Sequence, residues 1–193
     1  MRKMIFIGIA LALLLAGSVT TQAAVYTYQP TPADMSDFDH YAAYSWGLEW
    51  QHTDEEIKGA TLTFKNIYDW KVEEDFLYVH LLDLGQADLG VSRFDDLGEG
   101  DYFDGQGELI TVWSDPAGGG PGTDITFTFN ESQLALLNQN AADGYFGFGF
   151  DPDCHYFNDG IELNLTTAVP EPATMLLFGL GILGFGVHRR SKK

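Results

Sequence analysis

Hydrophobic and polar residues alternate with a period of two over several short runs of this chain. In residues 44–50 every second position is a large apolar residue, and Ser45, Gly47 and Glu49 fill the positions between. The same alternation recurs over residues 60–68, 125–129, 146–150 and 161–166. Because successive side chains of a strand point to opposite faces, this pattern predicts half-buried antiparallel strands.

Two further runs, residues 76–82 and 109–113, are apolar on both faces, which predicts central strands. One helix is predicted over residues 131–138, with Asn130 as its N-cap and Leu134 and Leu137 on one side. Turn-rich connections separate the runs, and no internal repeat is visible. The pattern favours an all-β fold, an antiparallel two-sheet sandwich that is jelly-roll-like.

The two ends differ from this middle. Residues 1–23 run from a basic start through an apolar stretch to small residues, which predicts a signal peptide cleaved between Ala23 and Ala24. A retained N-terminal anchor is the alternative. The apolar residues 173–187 precede a basic tip, which predicts a short transmembrane helix with its tip in the cytoplasm. A buried soluble helix is the alternative there.

Between the two ends, residues 24–168 form one strongly acidic domain. They contain 27 Asp and Glu against four basic residues, Lys58, Lys65, Lys71 and Arg93. This charge excludes nucleic acid as a partner and suits a protein held in solution outside the cytoplasm. Cys154 is the single cysteine, so an intramolecular disulfide is impossible and stability must come from an ordinary core.

The tail of residues 169–193 has three parts in a fixed order. Pro170, Glu171 and Pro172 come first, the apolar segment follows, and Arg189-Arg190 lie in the basic tip. With the signal peptide at the other end, this tail resembles the C-terminal sorting signal of PEP-CTERM proteins. The middle also resembles the globular region of other exosortase-dependent surface proteins, through the runs GATLTFKNIYDW, LYVHLLD and FGFDPDCHYFNDGIELNL.

The tail's resemblance implies a route. The Sec machinery would export the chain across the inner membrane of a Gram-negative bacterium, where the tail would anchor it. An exosortase would then process it near the motif, and the protein would reach the cell surface or an extracellular polysaccharide matrix such as that of a biofilm. The resemblance of the middle implies no known activity.

Two acidic stretches are candidate cation sites. In DPDCHYFNDG, the candidate calcium ligands are Asp151, Asp153, His155 and Asp159. The spacing fails the EF-hand pattern, a zinc site at Cys154 and His155 lacks a second ligand pair, and a structured turn is the alternative. FDDLGEGDYFDGQGE is either a calcium loop or a solvated acidic loop; its acidic residues are Asp95, Asp96, Glu99, Asp101, Asp104 and Glu108.

Aromatic residues supply the remaining candidate chemistry. Trp70 and Trp113 are candidates for stacking on sugar rings, whereas Trp46 and Trp50 share the apolar face of their strand. His80 lies on an apolar face and is expected to be a satisfied, partly buried histidine. The motifs H-E-x-x-H and G-x-S-x-G and a Walker-type loop are all lacking.

The sequence therefore predicts a non-enzymatic exported surface or matrix protein. A calcium-stabilised carbohydrate-binding module that binds exopolysaccharide is the first alternative, and a secreted glycan hydrolase is the second.

Overall fold

The computed structural model describes residues 22–97 and 100–169. A compact unit spans Ala24–Thr167. The elements are β1 Gln22–Tyr28, β2 Ala42–Glu49, β3 Glu56–Asp69, β4 Leu77–Leu82, β5 Gly90–Asp95, β6 Glu108–Trp113, β7 Thr123–Thr128, α1 Glu131–Asn140, β8 Tyr145–Pro152, β9 Tyr156–Phe157 and β10 Gly160–Val169.

The predicted signal peptide, apart from its last two residues, and the predicted transmembrane helix and sorting motif lie outside the described residues. The predicted cleavage between Ala23 and Ala24 falls inside β1, close to its start. Within residues 22–97 and 100–169, no helix combines the length and the apolar character needed to cross a membrane.

The strands form two antiparallel sheets, which confirms the predicted all-β class. Sheet 1 has the order β1-β10-β3-β7, with β9 beside β3, and sheet 2 has the order β5-β2-β8-β4-β6. Side chains from both sheets meet in one core. The rings of Phe64 on β3 and Phe150 on β8, for example, pack edge to face with their centroids 5.6 Å apart.

All seven segments that were predicted as strands are strands, but β6 lies at the edge of its sheet and not in the centre. β6 lies at the edge of sheet 2, beside β4, with Leu109 and Val112 exposed. Its prediction as a central strand is wrong, because an apolar run does not reveal whether a partner covers its second face. The sequence patterns did not predict β1, β5 or β9.

The predicted helix is confirmed as α1. Asn130 caps it: its side-chain Oδ1 accepts from the Gln133 N–H at 3.0 Å, and the Gln133 side chain accepts from the Asn130 N–H at 3.0 Å. This capping box satisfies two main-chain donors at the helix start. The helix packs beside β3, where Asn138 bonds to both main-chain groups of Ile57.

The outer face of β8 is bare of side chains at Gly149, and the long β5–β6 connection covers it. Phe103 from that connection is 3% exposed and packs with Ala43 and Leu82 in a second, smaller core. A Cβ on Gly149 would lie 2.8 Å from the Phe103 ring. The missing side chain therefore lets the acidic β5–β6 loop lie directly on sheet 2.

Candidate functional site

The structure separates the four candidate calcium ligands of the DPDCHYFNDG stretch. Asp159 is exposed and accepts from the Asn66 side chain at 2.9 Å, while His155 packs against the Phe157 ring. Asp151 and Asp153 face the β5–β6 loop instead. Among the described residues these four do not converge on one point, and Asn158 bonds back to the Gly160 N–H as a turn residue.

Asp151 and Asp153 are tied to the other acidic stretch of the chain. The Tyr102 N–H donates to Asp151 Oδ2 at 2.6 Å, and the Gly100 N–H donates to Asp153 Oδ1 at 3.4 Å. The two acidic stretches that the sequence singled out therefore meet on the outer face of sheet 2. These two main-chain donors stabilise carboxylates without a metal ion, and the Asp96 side chain also interacts with Asp151.

Asp151 is 1% exposed, at the end of the central strand β8. Burial raises the pKa of its carboxyl group to about 7, and the nearby carboxylates of Asp96 and Asp153 raise it further, against the lowering effect of the Tyr102 hydrogen bond. A group with this pKa changes its charge near neutral pH.

The same loop also engages a histidine. His80, which is 2% exposed on β4, makes a 2.8 Å hydrogen bond from Nε2 to Asp101 Oδ2. His80 Nδ1 is buried without a partner among the described residues. The sequence-based expectation of a satisfied histidine holds on one side of the ring only.

A third group of ionisable residues, which the sequence did not suggest, lies inside the domain. Asp69, Asp75 and Cys154 each place one ligand atom within 4.8 Å of the others. Tyr156, opposite Asp69 in the β3–β9 pair, lies within electrostatic range of all three. These four residues are called the acidic core cluster below.

Burial dominates the chemistry of the cluster. It raises the pKa of the Cys154 thiol to about 12, and the carboxylates of Asp69 and Asp75 add to this rise. Burial also raises the pKa of the Asp75 carboxyl group, and it raises the pKa of the Tyr156 phenol by a larger amount. Each of these groups is therefore pushed toward its protonated form.

The two candidate stacking residues have different surroundings. Trp113 is half-buried, and its ring packs against Tyr156 at 5.5 Å, so it belongs to the core wall. Trp70 is 49% exposed at the end of β3, with Lys71 Nζ 4.7 Å from its ring centroid. Trp46 and Trp50 are buried in the core.

Trp70 continues a row of partly exposed rings. Tyr68 and Phe157 stack at 5.1 Å, Phe157 contacts His155 at 4.7 Å, and His155 lies 6.5 Å from Trp70. The β3–β9 pairing creates this row, because it places Tyr68 directly opposite Phe157. These four rings, of Tyr68, Phe157, His155 and Trp70, are called the aromatic row below.

A shallow groove of about 280 Å³ lies between the β2–β3 connection and α1, lined by Trp50, Thr53, Asp54, Glu55, Glu56, Asn138, Ala141 and Ala142. Glu55 accepts from Thr167 Oγ1 at 2.5 Å and from Tyr26 Oη at 2.8 Å. The Thr167 bond, followed by the Tyr26 bond and the His52 charge, lowers the pKa of Glu55 against the opposing effect of burial. A carboxylate kept ionised in this way is unsuited to act as a general acid.

The family comparison concerns the tail. Residues 168–190 match the family model of the PEP-CTERM protein-sorting motif, which confirms the resemblance drawn from Pro170, Glu171 and Pro172. The chain thus carries, at residues 168–190, a segment similar to the sorting motif of PEP-CTERM proteins. A motif of this kind implies an exported, membrane-processed protein, and the domain that precedes it is all-β. The match covers the tail and not the β domain, and a comparison with curated proteins finds no match.

Two of the solved structures to which this chain is similar are distant likenesses. A latent aurone synthase (polyphenol oxidase) shares 9% identity over 81% of this chain and 29% of its own, with a TM-score of 0.42. The CBM22-1–GH10 modules of the Clostridium thermocellum xylanase 10B, complexed with xylohexaose, share 8% identity over 72% of this chain and 28% of theirs, with a TM-score of 0.31. The chain spans less than a third of either structure, and likenesses of this size carry no argument about its fold or activity.

Proposed function

We propose that this protein is a non-enzymatic component of the bacterial surface or extracellular polysaccharide matrix, delivered there after an exosortase removes its tail. The sorting motif at residues 168–190 is the observation that carries this proposal. The exosortase would recognise Pro170, Glu171 and Pro172, since two prolines favour an extended backbone that an enzyme can grip.

The arrangement of carboxyl groups supports a non-enzymatic role. Asp69 and Asp151 are at most 1% exposed, so no substrate reaches them from solvent in the described structure. Glu55, in the groove beside α1, is held ionised by its hydrogen bonds. A glycan hydrolase needs two facing carboxyl groups, one of them a proton donor, beside an open cleft.

We infer further that the two sheets form a jelly roll. Sheet 1 in the order β1-β10-β3-β7 and four strands of sheet 2 in the order β2-β8-β4-β6 supply the eight strands of that fold. The chain alternates between the sheets from β1 to β4 and again from β6 to β8. β5 and β9 are then additions at the margins.

The sorting proposal is tested by following the tail in a host that has an exosortase. The full chain is expressed with Glu171→Ala or with both Pro170 and Pro172 replaced by Ala, and the C-terminus of the product is determined by mass spectrometry. We expect the natural chain to lose its tail near the motif and to leave the inner membrane, whereas the variants keep the tail and stay membrane-bound. Thr174→Ser is the control. Normal processing of the Glu171 and proline variants, or retention of the natural chain in the cytoplasm, would contradict the proposal.

A second function, carbohydrate binding, is favoured by one observation, the aromatic row that ends at the exposed Trp70. Aromatic faces stack on sugar rings, and a protein delivered to a polysaccharide matrix meets such rings at high density. Trp113 does not belong to this row, because its ring is half-buried against Tyr156.

Affinity electrophoresis of the full chain, in gels that contain the host's own exopolysaccharide, tests this second function. Binding predicts that the polysaccharide retards the natural protein and that Trp70→Ala restores its mobility. Tyr41→Ala is the matched control, since Tyr41 is an aromatic residue 56% exposed that lies outside the row. Equal retardation of the Trp70 and Tyr41 variants, or no retardation of the natural protein, would rule out this site.

A further inference from the structure

The acidic core cluster lies where the chain crosses from sheet 1 to sheet 2, and two main-chain hydrogen bonds fix its geometry. The Trp70 N–H donates to the His155 carbonyl at 3.2 Å, and the Asp153 N–H donates to the Phe76 carbonyl at 2.8 Å. His155 and Asp153 are the two neighbours of Cys154, while Trp70 follows Asp69 and Phe76 follows Asp75. The thiol is therefore held between two carboxyl groups by the fold itself.

Asp69 is the most firmly held member. Its Oδ1 accepts from the Lys71 N–H at 3.0 Å, its carbonyl accepts from the Gly119 N–H at 2.6 Å, and its own N–H donates to Asp115. Its second carboxylate oxygen, Oδ2, has no hydrogen-bond partner of good geometry among the described residues, although the Cys154 thiol lies close enough to interact with the Asp69 carboxylate. Strand pairing places Tyr156 directly opposite.

Three oxygen atoms of the cluster are buried with no hydrogen-bond partner among the described residues. They are Asp69 Oδ2, Asp75 Oδ2 and the Tyr156 hydroxyl. Asp69 and Tyr156 are both 0% exposed, so bulk water does not satisfy them. Native proteins rarely leave buried polar atoms unpaired, and three in one place point to a ligand that the oxygens would bind.

The positive charge near the cluster is shared with another acid, since Lys71 lies within electrostatic range of Cys154 and Asp75 but also pairs with Glu73. Lys71 is the closest lysine along the chain, and its Nζ ion-pairs with Glu73 Oε1 at 3.1 Å, with both side chains half-exposed. Glu73 Oε1 also lies 3.8 Å from Cys154 Sγ, which adds a further negative group beside the thiol. A buried set of acids requires a cation or bound protons to be stable.

We propose that Asp69, Asp75 and Cys154 bind one divalent transition-metal ion, with zinc as the best fit. Their ligand atoms lie within 4.8 Å of one another, a separation that side-chain rotation reduces to the spacing around a single ion. A thiolate ligand selects zinc over calcium, which takes oxygen ligands. When the metal–sulfur bond forms, the thiol proton leaves to solvent, and the Tyr156 hydroxyl donates to a coordinated carboxylate. This site is independent of the proposed sorting and of glycan binding.

Cobalt(II) provides a direct test, because it occupies zinc sites and a cobalt–thiolate bond has a charge-transfer absorption in the near ultraviolet. The full chain, without a histidine tag, is purified in mild detergent, stripped with EDTA and titrated with Co²⁺. We expect one equivalent to produce the thiolate band and one equivalent of Zn²⁺ to abolish it. A hundredfold excess of Zn²⁺ over its Kd should raise the melting temperature by roughly 5 to 10 °C.

Variants assign the ligands. Cys154→Ser should remove the thiolate band, and Asp69→Asn or Asp75→Asn should raise the Kd at least tenfold. Asp159→Asn is the control, since it removes an exposed carboxylate from the same chain segment and should leave the Kd unchanged. The thiolate band is measured on the natural protein, so this part of the test remains valid even if one of the variants does not fold.

Several outcomes would overturn the proposal. Cobalt binding without a thiolate band would exclude Cys154 as a ligand. An unchanged Kd in both aspartate variants would place the ion elsewhere, such as at His188 in the tail. Stabilisation by Ca²⁺ but not by Zn²⁺ would indicate an oxygen-only site. No effect of any metal would mean that bound protons alone neutralise the cluster.

Discussion

The Tyr102 main chain and the Asp151 carboxylate are joined by a 2.6 Å hydrogen bond that ties the acidic β5–β6 loop to the central strand of sheet 2. The bond holds a buried carboxyl group whose nearest charged neighbours include the carboxylates of Asp96 and Asp153, so the main-chain donor and protonation help to offset its burial. Several measurable properties depend on this and similar contacts.

Asp151 should make the domain less stable as the pH rises through neutrality. Its pKa is raised to about 7 in the folded state, above the unfolded value of 3.8, so the folded state binds the extra proton between these values. The free energy of unfolding then falls with rising pH, by roughly 2.5 kcal/mol between pH 5 and pH 8 from this group. Urea denaturation at both pH values, in natural protein and in Asp151→Asn, measures the difference.

The asparagine variant retains an acceptor for the Tyr102 N–H and removes the titration. Asp95→Asn is the control, because the Asp95 side chain is 90% exposed. If the natural protein and Asp151→Asn lose stability equally over this pH range, the carboxyl group is not the source of the dependence.

Asn138 should show that α1 is attached to β3 through a specific amide. Its Oδ1 accepts from the Ile57 N–H and its Nδ2 donates to the Ile57 carbonyl, both at 2.9 Å, and Nδ2 also donates to the Leu134 carbonyl. Asn138→Ala should cost about 1 to 2 kcal/mol. Asn138→Asp should cost more, because a carboxylate oxygen would face two carbonyls. Thermal denaturation compares both with the exposed control Gln139→Glu, and an aspartate variant as stable as the natural protein would contradict this assignment.

Gly149 should not tolerate a side chain. A Cβ there would lie 2.8 Å from the Phe103 ring, which is itself packed into the smaller core. Gly149→Ala should therefore destabilise the domain by about 1 to 3 kcal/mol and loosen the acidic loop, as hydrogen exchange at the Tyr102 N–H would report. Gly85→Ala is the control, because its Cβ would make only an ordinary 3.9 Å contact. Equal stability of the two variants would mean that the loop moves away without cost.

Cys154 should be unreactive in the folded protein. It is 4% exposed, and burial raises its pKa to about 12, so the thiolate is scarce at pH 8. We expect iodoacetamide, in the presence of EDTA, to label the chain only after unfolding in urea. Tyr41→Cys in a Cys154→Ser background supplies an exposed thiol as the positive control. Labelling of native Cys154 at the rate of this control would show that the segment between β8 and β9 opens readily.

The sequence predicted the strands better than the contacts between them. Alternation identified β7 and β10, along which burial itself alternates, and also β2, which is buried on both faces. A side-chain amide marked the start of α1. Alternation did not identify β5, whose residues are mixed in polarity because the strand lies at an edge and is only partly buried.

The acidic core cluster could not be predicted for a different reason. Asp69 and Cys154 are far apart in the sequence, and they meet only because β9 pairs with the last residues of β3. The candidate ligands chosen from one continuous stretch, including His155 and Asp159, separate because alternate residues of that stretch point in different directions. Local spacing is informative for a loop that wraps one ion, and it says little about a site assembled by strand register.

The strand order also constrains when the domain can fold during export. β8 lies between β2 and β4, and β10 lies between β1 and β3, so the interior of each sheet is built from a late segment of the chain. The earlier strands lack these partners until residues 145–169 have crossed the membrane. Before that point only the neighbouring pairs β2–β5, β3–β7 and β4–β6 are available, so the two sheets are completed when the last segment before the sorting motif arrives.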